Sequence, residues 1–422
     1  MSFTTLGLDP SILSTVAALG YSEPTPVQRA AIPAVLAGGD LLVSSQTGSG
    51  KTAAFLLPGL QRLRSPGGAG KGPRMLVLAP TRELAMQVQK AAHGYGGGQR
   101  MRTALVVGGM PYGAQLKQLS KPVDIVIATP GRLKDHLDRG AVDFNRVELL
   151  VLDEADRMLD MGFQEEIDAL IARVPPNRQT LLFSATLDGV VGKLAQRVTK
   201  GAKRIDMARA AEKKLDIEHH VLFADNAAHK NKMLDMLLRD TDVEQALVFT
   251  ATKRQAEELS ITLLGHGFTA GALHGDMQQR ERTRMLQQLR DGRMRVLVAT
   301  DVAARGIDVP GITLVVNYDA PRQGEDYVHR IGRTGRAGRA GVAVTFLGRS
   351  ERHLVRQIER ETGNAMSIMV IPGLEPVERE RPAGRPASRP PSRSASRPSG
   401  RPGHQPGSRP AYRPSGKRGY SR

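Results

Sequence analysis

Ten short, almost wholly apolar runs recur over the first 346 positions, and their brevity restricts what the chain can build. They are Leu41–Ser45, Met75–Ala79, Ala104–Val107, Val123–Ala128, Leu149–Asp153 and Thr180–Ser184, then Ala246–Thr250, Val296–Thr300, Ile312–Asn317 and Val342–Phe346. Runs of this length, apolar at consecutive rather than alternate positions, suit strands of a parallel sheet covered by helices on both faces. Helix-like stretches such as Lys51–Leu63, Arg82–Ala92 and Phe163–Arg173 lie between them. A polar stretch, Lys203–Glu218, interrupts the rhythm and reads as a linker before the pattern restarts. The expectation is an α/β chain of two tandem parallel-sheet domains, with ligands at the carboxyl ends of the strands. The boundaries expected are residues 1–207, a linker 208–218, a second domain 219–372 and a tail 373–422.

Charge narrows the class of partner. The net charge is +18, and residues 381–422 contribute +11 of it with no acidic residue. Arginine returns every fourth position from Arg381 to Arg401, but Pro382, Pro386, Pro390, Pro398 and Pro402 exclude a continuous helix. With almost nothing apolar to bury, this segment reads as disordered. It is expected to hold phosphates without reading sequence, tethering the protein to a nucleic acid, with Tyr412 and Tyr420 available to stack on bases. A solubilising tail is the plainer alternative. The absence of cysteine removes disulfides, thiolate catalysis and cysteine metal sites. No run approaches membrane-spanning length, and Met1–Thr5 carries no secretion signal, so a cytoplasmic protein without membrane contact is expected.

Two segments carry the chemistry. Ser45-Gln46-Thr47-Gly48-Ser49-Gly50-Lys51-Thr52 follows an apolar strand and opens a helix. Glycines there let backbone N–H groups approach phosphate oxygens, while Lys51 neutralises the β/γ-phosphates and the Thr52 hydroxyl meets Mg²⁺. Alone, such a stretch is also an ordinary glycine-rich turn. Its counterpart is Asp153-Glu154-Ala155-Asp156, at the end of another apolar strand. Asp153 is placed to hold Mg²⁺ through its water shell and Glu154 to polarise the attacking water. Together the two segments point to ATP or another nucleoside triphosphate.

With these motifs the chain resembles the DEAD-box RNA helicases of superfamily 2, over roughly Phe3 to Pro372. Gly20–Gln28 resembles the family's Q motif, which implies that Gln28 reads the adenine edge and Phe3 packs on the base. Pro80-Thr81-Arg82-Glu83, Gly108-Gly109 and Thr129-Pro130-Gly131-Arg132 resemble its RNA-contacting motifs, and Ser184-Ala185-Thr186 the one linking Asp156 to duplex opening. In the second domain, Gln279 with Arg282, Thr300–Asp308 and His329–Arg336 resemble the later motifs. The resemblance implies that Arg282 and Thr300 contact RNA, that Gly306 and Asp308 meet the nucleotide, and that His329 couples the two ligands. Arg333 and Arg336, three residues apart and expected on one helical turn, become arginine fingers for the transferring phosphoryl group.

The implied fold is two RecA-like domains, and the implied activity is RNA-stimulated ATP hydrolysis coupled to their closure. The closed groove holds one bent strand, so short duplexes separate locally, and ribose 2′-OH contacts favour RNA over DNA. Two other readings stay open: an ATP-gated RNA clamp or annealing scaffold, and a DNA helicase. The compact core and basic tail look most like the RhlE branch. That implies a monomeric core, and ribosomal precursors or the RNA-decay machinery as partners.

Overall fold

The structure is a computed structural model that describes residues 2–45, 48–66, 72–96, 101–207, 216–304, 307, 309, 311–321, 323–335 and 339–377. The arginine-rich segment and the expected site residues Gln46, Thr47, Gly306, Asp308 and Arg336 lie outside the described residues.

Two parallel sheets organise residues 2–376. The first contains β1 Leu41–Ser44, β2 Met75–Leu78, β3 Thr103–Val106, β4 Ile125–Ala128, β5 Leu149–Leu152, β6 Gln179–Ser184 and β7 Lys203–Asp206, in the order β3-β4-β2-β5-β6-β1-β7. The second contains β8 Ile217–Ala224, β9 Gln245–Thr250, β10 Ala270–Leu273, β11 Val296–Thr300, β12 Ile312–Asn317, β13 Gly341–Gly348 and β14 Ser367–Ile368, in the order β10-β11-β9-β12-β13-β8-β14.

The apolar runs are explained by which core each residue enters. In β2 and β5, Met75, Val77, Leu149 and Val151 enter one hydrophobic layer, while Leu76, Leu78, Leu150 and Leu152 enter the layer on the other face. The second sheet repeats this, with Ala246 and Val248 on one side and Leu247 and Phe249 on the other. A strand flanked by helices on both faces has no solvent side to keep polar.

The polar stretch Lys203–Glu218 corrects the linker reading. Lys203–Asp206 is strand β7, paired in parallel with β1 from Leu41↔Lys203 to Ser44↔Asp206, and Ile217–Glu218 open β8. As an edge strand it exposes Lys203 and Arg204 and buries only Ile205, so its sequence lacks the apolar signature. At the other end, Leu374 packs on the second core and its carbonyl accepts a hydrogen bond from His229 Nε2 at 3.0 Å. Residues 373–376 therefore belong to the second lobe rather than to the tail.

Because every strand of a sheet points the same way, the motifs that follow strands issue from one edge of each sheet. β1 leads to the glycine loop, β2 to Pro80, β4 to Thr129, β5 to Asp153 and β6 to Ala185; in the second lobe β11 leads to Asp301.

Candidate active site and nucleic-acid interface

Lys51 begins the helix Lys51–Arg64, which is preceded by Gly50 in the left-handed region at φ 94°. A Cβ on Gly50 would also fall 2.5 Å from Gln28 Nε2. Both constraints demand glycine at the phosphate loop. Lys51 is buried and its Nζ donates to Ser45 O at 3.2 Å, while Ser49 Oγ bonds Ser45 Oγ at 3.3 Å. Gly48 likewise has positive φ, and Thr52 is the second residue of the helix.

Gln28 has a local task. Its Oε1 accepts from Thr25 N at 2.9 Å, closing a capping box on the helix Pro26–Leu36, and its Nε2 donates to Gly50 O at 3.2 Å. The side chain thus ties the first helices to the phosphate loop. Phe3 is buried in the same core as Leu6 and Leu8.

Asp153 and Glu154 follow β5. Asp153 is 2% exposed and its Oδ1 has no hydrogen-bond partner. Burial raises its carboxyl to about 7, with Lys51 opposing and Glu154 and Asp156 adding to the rise. A buried, unpartnered carboxylate oxygen beside a lysine is fitted to a cation. Among the described residues no group of three or more His, Asp or Glu side chains could hold a metal by itself. That donor set suits Mg²⁺, which takes one or two carboxylates and otherwise water and phosphate oxygens.

Glu154 is the sole non-glycine residue with positive φ among the described residues, at 53°. Such a backbone costs roughly 1–3 kcal/mol and persists where surrounding structure imposes it. Asp156 explains the imposition. Its Oδ2 accepts from Ala185 N at 2.9 Å, and its N–H donates to Ser184 Oγ at 3.3 Å. The Asp156 and Ser184 segments, expected to be coupled, are hydrogen-bonded; Thr186 lies two residues beyond, half-buried.

A groove of about 520 Å³ is lined by Pro80, Arg82, Gly108, Thr129, Gly131 and Arg132 of the first lobe, and by Gly275, Arg282 and Val302 of the second. A Cβ on Gly109, at φ 74°, would overlap the Arg82 guanidinium, so the glycine pair cradles that arginine. Desolvation, then Arg282, lower the Arg82 pKa, with Glu83 opposing and Arg132 adding. Arg132 donates to Met110 O at 3.2 Å. Thr300, half-buried, ends β11 two residues before Val302.

Arg282 does more than face the groove. Its Nη2 and Nε meet Glu83 Oε1 at 2.7 and 2.8 Å, and its Nη1 donates to His274 O at 2.9 Å. Gln279 Nε2 also donates to Glu83 Oε1, at 3.4 Å. The lobes are clasped by a buried ion pair.

At the second lobe's motif edge, the helix Gly324–Ile331 stops before Arg333, so Arg333 lies beyond that helix; its expected companion Arg336 lies outside the described residues. Gly335 is left-handed at φ 65° and has no room for a Cβ against Ile217, so the chain turns. Arg333 is buried and donates to Ile307 O at 2.7 Å. It lines a small cavity with His329 and, from the first lobe, Arg157. Arg330 is held by Asp301 at 2.6 and 2.8 Å and by Asn317 Oδ1 at 3.1 Å.

Residues 25–194 match the family model described as DEAD/DEAH box helicase, and residues 229–338 the one described as helicase conserved C-terminal domain. The DEAD-box ATP-dependent RNA helicase CshA of Geobacillus kaustophilus is 40% identical over 377 residues, covering 89% of this chain and 79% of CshA. The chain belongs to the DEAD-box helicase family. The ATP-dependent RNA helicase DeaD of Escherichia coli K12 is 44% identical over 383 residues, 90% of this chain but 60% of DeaD. Among solved structures, S. cerevisiae Dbp5 bound to RNA and ADP BeF3 superposes with a TM-score of 0.79 at 32% identity, covering 87% of this chain and 95% of that one.

Three DEAD-box site features escaped the sequence reading: the Glu83–Arg282 clasp, the Arg330–Asp301–Asn317 network and the approach of Arg157 to Arg333. Glu83 and Arg282 are 199 residues apart, and no local pattern pairs them.

Proposed function

We propose that this protein hydrolyses ATP in response to RNA and uses lobe closure to separate short RNA duplexes locally. The observation that carries the reading is the groove lined by both lobes and clasped by Glu83 and Arg282. A strand bound there favours the closed state, and a nucleotide bridging the Lys51 loop to Arg333 favours the same state. Two ligands that each prefer one conformation bind cooperatively through it.

In this reading Lys51 and the loop N–H groups hold the phosphates, and Thr52 and Asp153 hold Mg²⁺, which supplies charge neutralisation when bound. Glu154 orients the attacking water, and Arg333 and Arg336 stabilise charge on the transferring group. Gln28 and Phe3 select adenine; Gly306 and Asp308 contact the nucleotide; Asp156, Ser184, Thr186 and His329 relay closure to the groove. Arg82, Arg132 and the backbone of Pro80, Gly109, Thr129 and Gly131 hold the strand, with Arg282 and Thr300 opposite. Residues 381–422 act as an RNA tether. The placement nearest the RhlE branch rests on the compact core and basic tail.

The test is strand separation on a short RNA duplex by wild type, Lys51→Ala and Glu154→Gln. Wild type separates the duplex and both variants fail. Wild type that hydrolyses ATP without displacing a strand overturns the helicase reading in favour of a clamp.

A further inference from the structure

A cavity of about 610 Å³ opens at the amino ends of β2, β5 and β6, on the edge of the first sheet opposite the phosphate loop. Arginines from four separate segments line it, Arg62, Arg74, Arg146 and Arg178, and Glu148 is the one carboxylate among its described lining residues. Arg74 and Glu148 satisfy each other in a two-pronged pair at 2.7 and 3.0 Å. The remaining protons of Arg74 cap carbonyls at the end of the helix Lys51–Arg64, including Leu63 O at 3.0 Å and Ser65 O at 2.7 Å.

Arg62 and Arg178 are less fully satisfied than Arg74. Arg62 makes no side-chain hydrogen bond or ion pair among the described residues, although it is half-buried. Desolvation lowers its pKa; Glu148 opposes this and Arg74 adds to it. Arg178 donates to Pro175 O at 3.0 Å and to Val174 O and Val198 O at 3.5 Å, but its buried Nε has no partner. Gln179, 4% exposed, spends its Nε2 on Val35 O and Gly39 O and leaves Oε1 without a donor. These half-buried guanidiniums crowd one already paired carboxylate of the cavity, with Asp40 acting on Arg178 and Asp124 interacting with Arg146; the repulsion that is left is relieved by an anion.

We propose that this cavity binds a small molecule carrying two or more linked phosphates, at a site separate from the catalytic nucleotide. The size lies within the range of small-ligand pockets. Planar forks arriving from several directions match phosphate oxygens. Gln179 Oε1 is left to accept a ligand hydroxyl or amine. No aromatic side chain lines the cavity among the described residues, which offer no platform on which RNA bases would stack. The helix Lys51–Arg64 begins at the phosphate loop and ends at this cavity, which joins the two sites by one rigid element.

The experiment titrates inorganic tripolyphosphate into the full chain by calorimetry, with ADP and Mg²⁺ saturating the catalytic site. Wild type is compared with Arg62→Gln, whose side chain makes no bonds to lose among the described residues, and with Asn145→Asp, which adds a negative charge at an exposed rim position. A parallel titration uses a short single-stranded RNA. Both variants weaken tripolyphosphate binding roughly tenfold, leave RNA affinity unchanged and melt like wild type without ligand. Tripolyphosphate binding equal to wild type in both variants overturns the proposal. So does a loss confined to RNA, which assigns the arginines to the nucleic acid.

Discussion

Glu83 and Arg282 offer the sharpest test of how the lobes are joined. Glu83 is 4% exposed and Arg282 5%, and the carboxylate oxygen Oε1 receives two guanidinium contacts and one amide. Removing one member of a buried pair strands the other, at a cost of roughly 3–5 kcal/mol. Here the stranded group has an escape, because opening the lobes returns it to water. The loss therefore falls on closure rather than on folding, and 3 kcal/mol corresponds to roughly a hundredfold shift in the open-to-closed ratio. Glu83→Ala is expected to raise the RNA concentration for half-maximal ATPase by one to two orders of magnitude, with an unchanged melting temperature. Arg282→Ala does the same, and the double variant is little worse than the worse single one. The assay is RNA-titrated ATPase for all four proteins, read as a double-mutant cycle. Losses that simply multiply in the double variant would show that the two side chains do not act together, and would refute the clasp.

Two further outcomes are expected. Gly109→Ala places a methyl against the Arg82 guanidinium in a backbone at φ 74°, so RNA affinity falls roughly tenfold or more while ATP affinity without RNA is unchanged; fluorescence anisotropy and nucleotide titration check the two halves. In the second lobe, Arg239 and then His266 hold the Asp235 carboxyl below the usual carboxylate range, with burial opposing. The stability this contributes is present above the unfolded-state pKa and lost as pH falls through the lower folded value. Denaturant unfolding from pH 6 to 3 should show a gentler acid decline for Asp235→Asn than for wild type, and parallel declines would remove the assignment.

Much of this protein was readable before any coordinates, for local reasons. Strands buried on both faces must be apolar at successive positions, so Leu149–Leu152 and Ala246–Phe249 announced themselves. A phosphate loop must bring glycine and lysine to a strand end, so Ser45–Thr52 did too. β7, with one buried side chain, β8, whose opening is polar, β10, half-buried at alternate positions, and β14, with two residues, carried no such pattern and were missed. The helix end before Arg333 was missed because spacing alone cannot foresee that the helix stops at Ile331, with Gly332 at its C-cap.

What the chain order could not hold was every contact between distant segments. Only folding sets Glu83 against Arg282, lays Asp156 under Ala185 and so aims Glu154, and gathers Arg62, Arg74 and Arg178 around one cavity. The physical reason is the same in each case. Sequence dictates the period of burial and the chemistry a turn can tolerate, which act over a few residues. Charge pairing and desolvation depend on distance in space, and that is fixed only when the sheets and helices close on one another.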